Sequence, residues 1–359
     1  MKQVIKIENL VLGAGIAGLG AAYELRRNKR DCLVLERNGS YGGLLDNFTI
    51  NGFRFDKFIH LSFTTNQEVR SIFDKTPYLT HKPLSFNYYR GFWLKHPAQN
   101  NIFPLPSEEK NKIIHSFINR RTLDENEIRN YEEWLRVQYG DYFAENFPLM
   151  YTKKYWTIDA SELGTKWVGK RMYRPTVEEV QLGADSDETP NNYYTDEMRY
   201  PIVGGYKSFL EPLLEGLVIH YEQEVISINL ENKIVVTSNG VSYNYTNLIN
   251  TIPLPELIPL LGEVPSHVSD ASQELKFTSG AIISLGFRKP ELADKLWYYI
   301  YDLDIPPSRV YSPSMKSPDN CPDGCSSIQA EYYFDWKKNI NKTEIMAQTI
   351  NKFIEIGLF

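Results

Sequence analysis

Leu10-Val-Leu-Gly13-Ala-Gly15-Ile-Ala-Gly18 reads as an apolar strand running directly into Gly-x-Gly-x-x-Gly. Each glycine answers a steric demand. The first makes a tight turn, and the second lets the backbone approach a pyrophosphate. The third lets the next helix pack closely on the strand, so its N-terminal N–H groups and dipole face the phosphates. A second short strand, Cys32–Leu35, ends at Glu36. An acid roughly 20 residues beyond the glycines can accept hydrogen bonds from the ribose hydroxyls of an adenosine. Gly42-Gly43 follows. Gly-rich turns are common, but strand, glycines, helix and acid in one frame define a Rossmann-like βαβ unit that binds a dinucleotide.

Working outward, Ala17, Ala21 and Leu25 recur at helical spacing and predict a small-residue face against the sheet. Residues 66–160 read as helical and polar, broken at Pro83, Pro97, Pro104 and Pro106. Within them Ser107-Glu-Glu caps a helix over 110–118, and 132–139 reads as another. The acidic, turn-rich stretch 185–192 is a loop, and Pro201-Ile-Val-Gly204-Gly205 breaks into a helix over 209–217. From Val218 the pattern turns to short strands, at 218–219, 225–230, 233–238, 241–245 and 248–251, separated by signals such as Asn239-Gly240. After a helix near 255–261, strands resume at 281–287 and 297–301. The fold class is therefore α/β. Residues 1–65 with 205–270 form the Rossmann-like domain, 66–204 a mainly helical insert on the substrate side, and 271–359 a substrate-side antiparallel sheet.

The net charge of −6 leaves no basic footprint for nucleic acid. No apolar run approaches the ~18 residues of a membrane span. The chain enters its first strand without a signal-peptide pattern, so a cytoplasmic location is expected. Three cysteines, Cys32, Cys321 and Cys325, are a sparse and odd set that reads as cytosolic thiols. Six histidines show neither HxxxH nor HExxH spacing, so no metal site is expected. A GxSxG elbow is absent as well, which leaves a cofactor to carry the chemistry. Aromatic residues make up 13% of the chain, 24 of them tyrosines, concentrated between Tyr88 and Tyr206. They suit either a helical core with tyrosine edges or a cleft that stacks rings.

Glu36 followed by Gly42-Gly43 resembles the flavin amine-oxidase and protoporphyrinogen-oxidase superfamily. Within it, Tyr151-Thr-Lys-Lys-Tyr-Trp156 with Ser161-Glu-Leu163 is similar to the Tyr-Thr-x-Lys-x-Trp and Ser-Glu-Leu of the UDP-galactopyranose mutase branch. Lys170-Arg171, Pro201-Ile-Val-Gly-Gly-Tyr206 and His60-Leu-Ser-Phe-Thr-Thr-Asn66 resemble further segments of that branch, in the same order.

The resemblance implies FAD, held non-covalently by Gly13, Gly15, Gly18, Glu36, Gly42 and Gly43, with Val225 meeting the adenine through its backbone. It implies that Tyr151 and Trp156 line a uridine pocket; an amphipathic helix burying aromatic residues fits the same spacing. Arg171 and Arg309 would grip the UDP diphosphate, a task suited to a permanently charged bidentate fork. Arg174 would replace Arg171 on a one-residue slip, and a solvated loop arginine also fits Arg309. His60 would sit beside the isoalloxazine, although a structural histidine suits the same turn. The implied chemistry is redox-neutral, with reduced-flavin N5 as nucleophile towards a UDP-hexose in cell-surface polysaccharide synthesis. The implied partners are that nucleotide sugar and further copies of the chain.

Some residues depart from the pattern. Leu44 stands where the mutases have Asn and amine oxidases usually Arg, and Phe63 replaces a histidine. The sequence stops at Phe359 within a helical stretch, before the family's Gly-Arg-x-Gly segment, so it reads as C-terminally truncated. Two alternatives stay open: an oxidoreductase of the amine-oxidase or protoporphyrinogen-oxidase kind, and a non-catalytic flavin- or nucleotide-binding relative.

Overall fold

The computed structural model describes residues 4–169, 171–190 and 192–359. They divide into two compact units. The first comprises residues up to Ile50 with Arg54–Leu79 and Tyr200–Lys276; the second comprises Asn51–Phe53, Thr80–Arg199 and Phe277–Phe359.

The first unit is built on a six-stranded sheet. Its order is Val225–Asn229, Ile234–Thr237, Ser242–Asn250, Val4–Leu12, Cys32–Leu35, Val218–His220. The last four strands are parallel and the first two form an antiparallel extension. Leu10, Val11 and Leu12 are fully buried, as a central parallel strand covered on both faces requires. Ser242–Asn250 is one strand where the sequence suggests two. Its polar middle reads as a turn, but Asn247 Nδ2 donates to Asn9 Oδ1 on the neighbouring strand (2.9 Å) and the ladder continues.

Helix Ile16–Arg27 buries Gly18, Leu19 and Ala22, so the expected Ala17–Ala21–Leu25 face is rotated. Gly18 dictates this, because its missing side chain is what lets the helix rest on the strand. The helix expected over 209–217 is a 3-10 turn, Tyr206–Leu210, followed by the short helix Glu211–Leu214. Pro212 stands near the start of that helix, where its missing N–H costs nothing.

The second unit has its own six-stranded sheet, in the order Thr278–Phe287, Ser326–Asp335, Arg309–Tyr311, Trp297–Ile300, Ser85–Tyr89, Phe92–Lys95. All neighbours are antiparallel except Trp297–Ile300 beside Ser85–Tyr89. Two of these strands come from the stretch read above as helical. Ser85–Tyr89 and Phe92–Lys95 are aromatic-rich and close into a hairpin over Arg90-Gly91, both at positive φ. The helices Ser107–Ile118, Tyr131–Tyr139, Asp141–Asn146, Pro148–Trp156 and Val177–Asp185 surround a core that includes Tyr89, Phe117, Leu135, Phe143 and Phe147. Among the described residues no helix is long and apolar enough to cross a membrane.

Candidate functional site: a glycine cradle and an arginine–tyrosine cluster

In the first unit the glycine motif forms a strand–turn–helix junction whose contacts explain each position. Gly13 has φ +99°, a conformation L side chains rarely adopt. A Cβ on Gly18 would lie 1.9 Å from the Gly13 carbonyl oxygen, so only glycine permits this packing. Gly15 differs: a Cβ there would meet nothing within 4 Å. The space beside it is open, and the helix begins at Ile16 with no side-chain cap and no acid in its first turn. Open space against bare helix N–H groups fits a dinucleotide pyrophosphate.

Glu36 is buried behind this turn. Its Oε2 accepts from Ala14 N–H (2.8 Å), while Oε1 accepts from the Asn38 backbone and side-chain amides (2.9 and 2.7 Å). Three of the roughly four acceptor positions of a carboxylate are thus occupied by the fold, leaving about one for a ribose hydroxyl. Gly42 N–H donates to Ala14 O (2.8 Å), which straps the second glycine pair to the first loop. Gln223 N–H donates to Glu36 O (2.8 Å), and this places Val225, at the start of its strand, close to the end of the Glu36 strand. His60 Nδ1 lies 2.9 Å from Phe58 O and its ring 5.2 Å from that of Tyr206. The His60 turn is therefore pinned by its own carbonyl and by the residue that ends the Pro201–Tyr206 segment.

In the second unit, Arg309 lies on a strand rather than in a solvated loop, flanked by Tyr299 on one neighbour and Glu331 on the other. Its Nε and Nη2 both reach Glu331 Oε2 (2.6 Å), and Nη2 lies 3.4 Å from the Tyr333 hydroxyl. Tyr333 O–H donates to the same carboxylate oxygen (2.9 Å). Glu331 is fully buried. Burial opposes the charge on Arg309, but Glu331 outweighs it and holds the guanidinium pKa well above its ordinary value. The guanidinium lies 5.9 Å from the Tyr155 ring centre, and Nη1 has no partner among the described residues.

Helix Pro148–Trp156 faces this strand with Tyr151 and Tyr155, one turn apart and stacked at 5.7 Å. Tyr151 also meets Tyr299 and Tyr301. Its hydroxyl is buried without a partner among the described residues, and burial raises its pKa well above the usual phenol value. It is therefore a donor in search of an acceptor. Lys154 holds the helix in place, because Nζ donates to the carbonyls of Ile300, Asp302 and Ile305 at 3.0, 2.8 and 2.8 Å.

The structure thus gathers Tyr151, Trp156 and Arg309 in one cluster. Tyr155, Tyr299, Glu331 and Tyr333 join it without having been singled out. The alternation of Ser326–Asp335 could have found two of them, since Glu331 and Tyr333 share one face. Arg171 is exposed and has no ion pair among the described residues; its neighbour Lys170 lies outside them. Arg174 is exposed too, 4.0 Å from Glu125 and 5.3 Å from the Trp134 ring centre. A row of rings runs from there through Tyr131 and Trp167 to Trp156, with successive centres 5.9, 4.9 and 5.6 Å apart.

The fold, the glycine cradle and the second glycine pair define a dinucleotide-binding enzyme of the Rossmann class. Residues 16–353 match the family of flavin containing amine oxidoreductases, and the chain belongs to that family. FAD is its cofactor, and the cradle fits it. The fold resembles that of a reduced UDP-galactopyranose mutase with a TM-score of 0.91 at 24% identity, covering 98% of this chain and 80% of that one. A protein from Exiguobacterium described as a protoporphyrinogen oxidase gives 0.71 at 17% identity, over 97% and 82% of the two chains. Wild-type putrescine oxidase bound to putrescine gives 0.64 at 15%, over 99% and 82%.

Proposed function

We propose that the chain is a mutase-type member of this family that acts on a UDP-hexose used for cell-surface polysaccharide. The observation that carries the reading is the convergence, in one aromatic cluster, of a mostly buried arginine and an orphaned tyrosine hydroxyl. A nucleoside diphosphate needs a stacking face, a donor and a fixed cation, and Trp156, Tyr151 and Arg309 supply them.

In this reading the first unit holds FAD through Gly13, Gly15, Gly18, Glu36, Gly42, Gly43 and the backbone of Val225, with the His60 turn beside the flavin ring. The second unit holds the substrate. Glu331 fixes the Nε–Nη2 edge of Arg309 and leaves Nη1 to grip a phosphate oxygen. Arg171, exposed and without an ion pair among the described residues, is the second cation, and Arg174 is its neighbour in reserve. Held at two points, the diphosphate would leave and return without diffusing away, a positioning role that needs no proton from the protein. The bound reduced flavin supplies the nucleophile for the sugar carbon.

Calorimetry of the FAD-loaded protein with UDP tests this reading. Binding in the micromolar range, and interconversion of UDP-hexose ring forms only after dithionite reduction, is expected. Oxygen consumption with an amine and no UDP binding at millimolar concentration would establish an oxidase instead.

A further inference from the structure

We propose that Asp46, gripped by Lys207 and Lys57, is the positioning carboxylate that fixes the Gly42-Gly43 turn as the second wall of the FAD cradle. The turn needs such a device. Gly42 and Gly43 have φ of +112° and +59°, conformations that glycine visits freely but that nothing in its own chemistry enforces. Upstream contact is supplied by Gly42 N–H to Ala14 O. Of the two residues between the glycines and Asp46, Leu44 is 64% exposed, and Leu45 gives the turn an apolar foothold in the core but no polar one.

Asp46 supplies the downstream contact. Its Oδ1 lies 2.7 Å from Lys207 Nζ and its Oδ2 3.0 Å from Lys57 Nζ, while its carbonyl accepts from Lys57 N–H (2.8 Å). Burial alone would raise the Asp46 pKa, but the two lysines, joined by the Asn47 backbone N–H, outweigh it and hold the carboxyl below its ordinary value. Lys207 acts on both sides of the turn. It also donates to Ser40 Oγ, and its ammonium lies 4.2 Å from the Tyr41 ring centre, so it spans from the residues before Gly42 to the one after Leu45. The turn folds tightly onto this anchor, for a Cβ on Gly42 would sit 3.1 Å from the Asp46 nitrogen. Lys207 is itself tied to the cradle, since Asn47 Nδ2 donates to Gly204 O (2.8 Å) three residues upstream. A partly buried ion pair of this kind holds geometry more than it adds stability.

The test is titration of apo-protein with FAD, followed by flavin fluorescence and by visible circular dichroism of the bound cofactor. Asp46→Asn and Lys207→Met should each weaken FAD at least tenfold and move the bound dichroism towards that of free FAD. The double variant should be no weaker than the worse single, because the residues act as one unit. Lys207→Arg should recover most of the loss. Lys57→Met, at the more exposed partner, should cost about threefold and covers the case in which Asp46→Asn does not fold. Affinity within twofold of wild type in Lys207→Met, independent losses that multiply in the double variant, or a lower melting temperature with unchanged bound dichroism would each overturn the proposal.

Discussion

Substituting alanine at Gly15 and at Gly18 separates the two jobs the glycine motif performs. At Gly15 φ is −73°, a value alanine adopts readily, and its Cβ would enter empty space. The apo-protein should therefore melt no lower than wild type, and the reduced freedom of its unfolded chain should stabilise it by about 0.4–1 kcal/mol. That same methyl would occupy the space into which the pyrophosphate must come. Overpacking by one methyl costs about 1–3 kcal/mol, or roughly 5- to 150-fold in Kd. At Gly18 the Cβ would lie 1.9 Å from a backbone oxygen where about 3 Å is the closest real contact, so helix and turn must part by about 1 Å. Gly18→Ala should lower the stability of apo-protein by about 3 kcal/mol and weaken FAD as a consequence. Apo-protein melting and FAD titration of both variants decide the matter. If Gly15→Ala binds FAD as wild type does, or melts as low as Gly18→Ala, Gly15 does not face the cofactor.

Removing the carboxylate in Glu331→Gln strands Arg309 without its counter-charge and should cost about 3 kcal/mol in urea unfolding, with a smaller loss when Arg309→Met is added. Arg171→Ala should weaken UDP by about one to two orders of magnitude in calorimetry while leaving FAD content intact; Arg171→Lys should recover only part. For pH dependence, burial pushes His96 from 6.5 down to about 4, its Nδ1 lying 3.1 Å from Asn87 Oδ1. The unfolded chain takes up this proton near pH 6.5 and the folded chain only near 4, so this contribution is present above pH 6.5 and is lost as pH falls to 4. Its size is about 3 kcal/mol, and His96→Phe should flatten that part of the stability profile.

The Rossmann half of the molecule was legible because its rules are local. Gly13, Gly18 and Glu36 are dictated by contacts within one βαβ unit, so their spacing along the chain carries the geometry. The hairpin Ser85–Lys95 was misread for the opposite reason. Its strands exist through pairing with Trp297–Ile300, some 200 residues away, and no local period announces that partner. Asn247 shows the same limit on a smaller scale: a residue that breaks strands in isolation continues one when Asn9 lies opposite. Glu331 and Tyr333 belong to this class too, for their role follows from the register Arg309–Glu331 and not from any motif.

The proposed substrate cluster is one of the places where the fold leaves a buried polar group unfinished. Buried polar groups are nearly always paired, because an unpaired donor costs about 1–3 kcal/mol. Lys154 illustrates the rule, with its ammonium hydrogen bonds spent on three carbonyls, and this settles it as a structural residue despite its place in a motif. Tyr151, one turn earlier on the same helix, breaks the rule with a buried hydroxyl that has no partner among the described residues. Arg309 has Nε and Nη2 taken by Glu331, while Nη1 has no partner among the described residues. Folding energy alone would favour phenylalanine at position 151 and a closed ion pair at 309. Tyr151→Phe should accordingly leave stability unchanged or slightly raised in urea unfolding and weaken UDP by roughly 5- to 10-fold, the worth of about one neutral hydrogen bond. A stability loss beyond about 1 kcal/mol with unchanged UDP affinity would return Tyr151 to the core and leave the cluster without its donor.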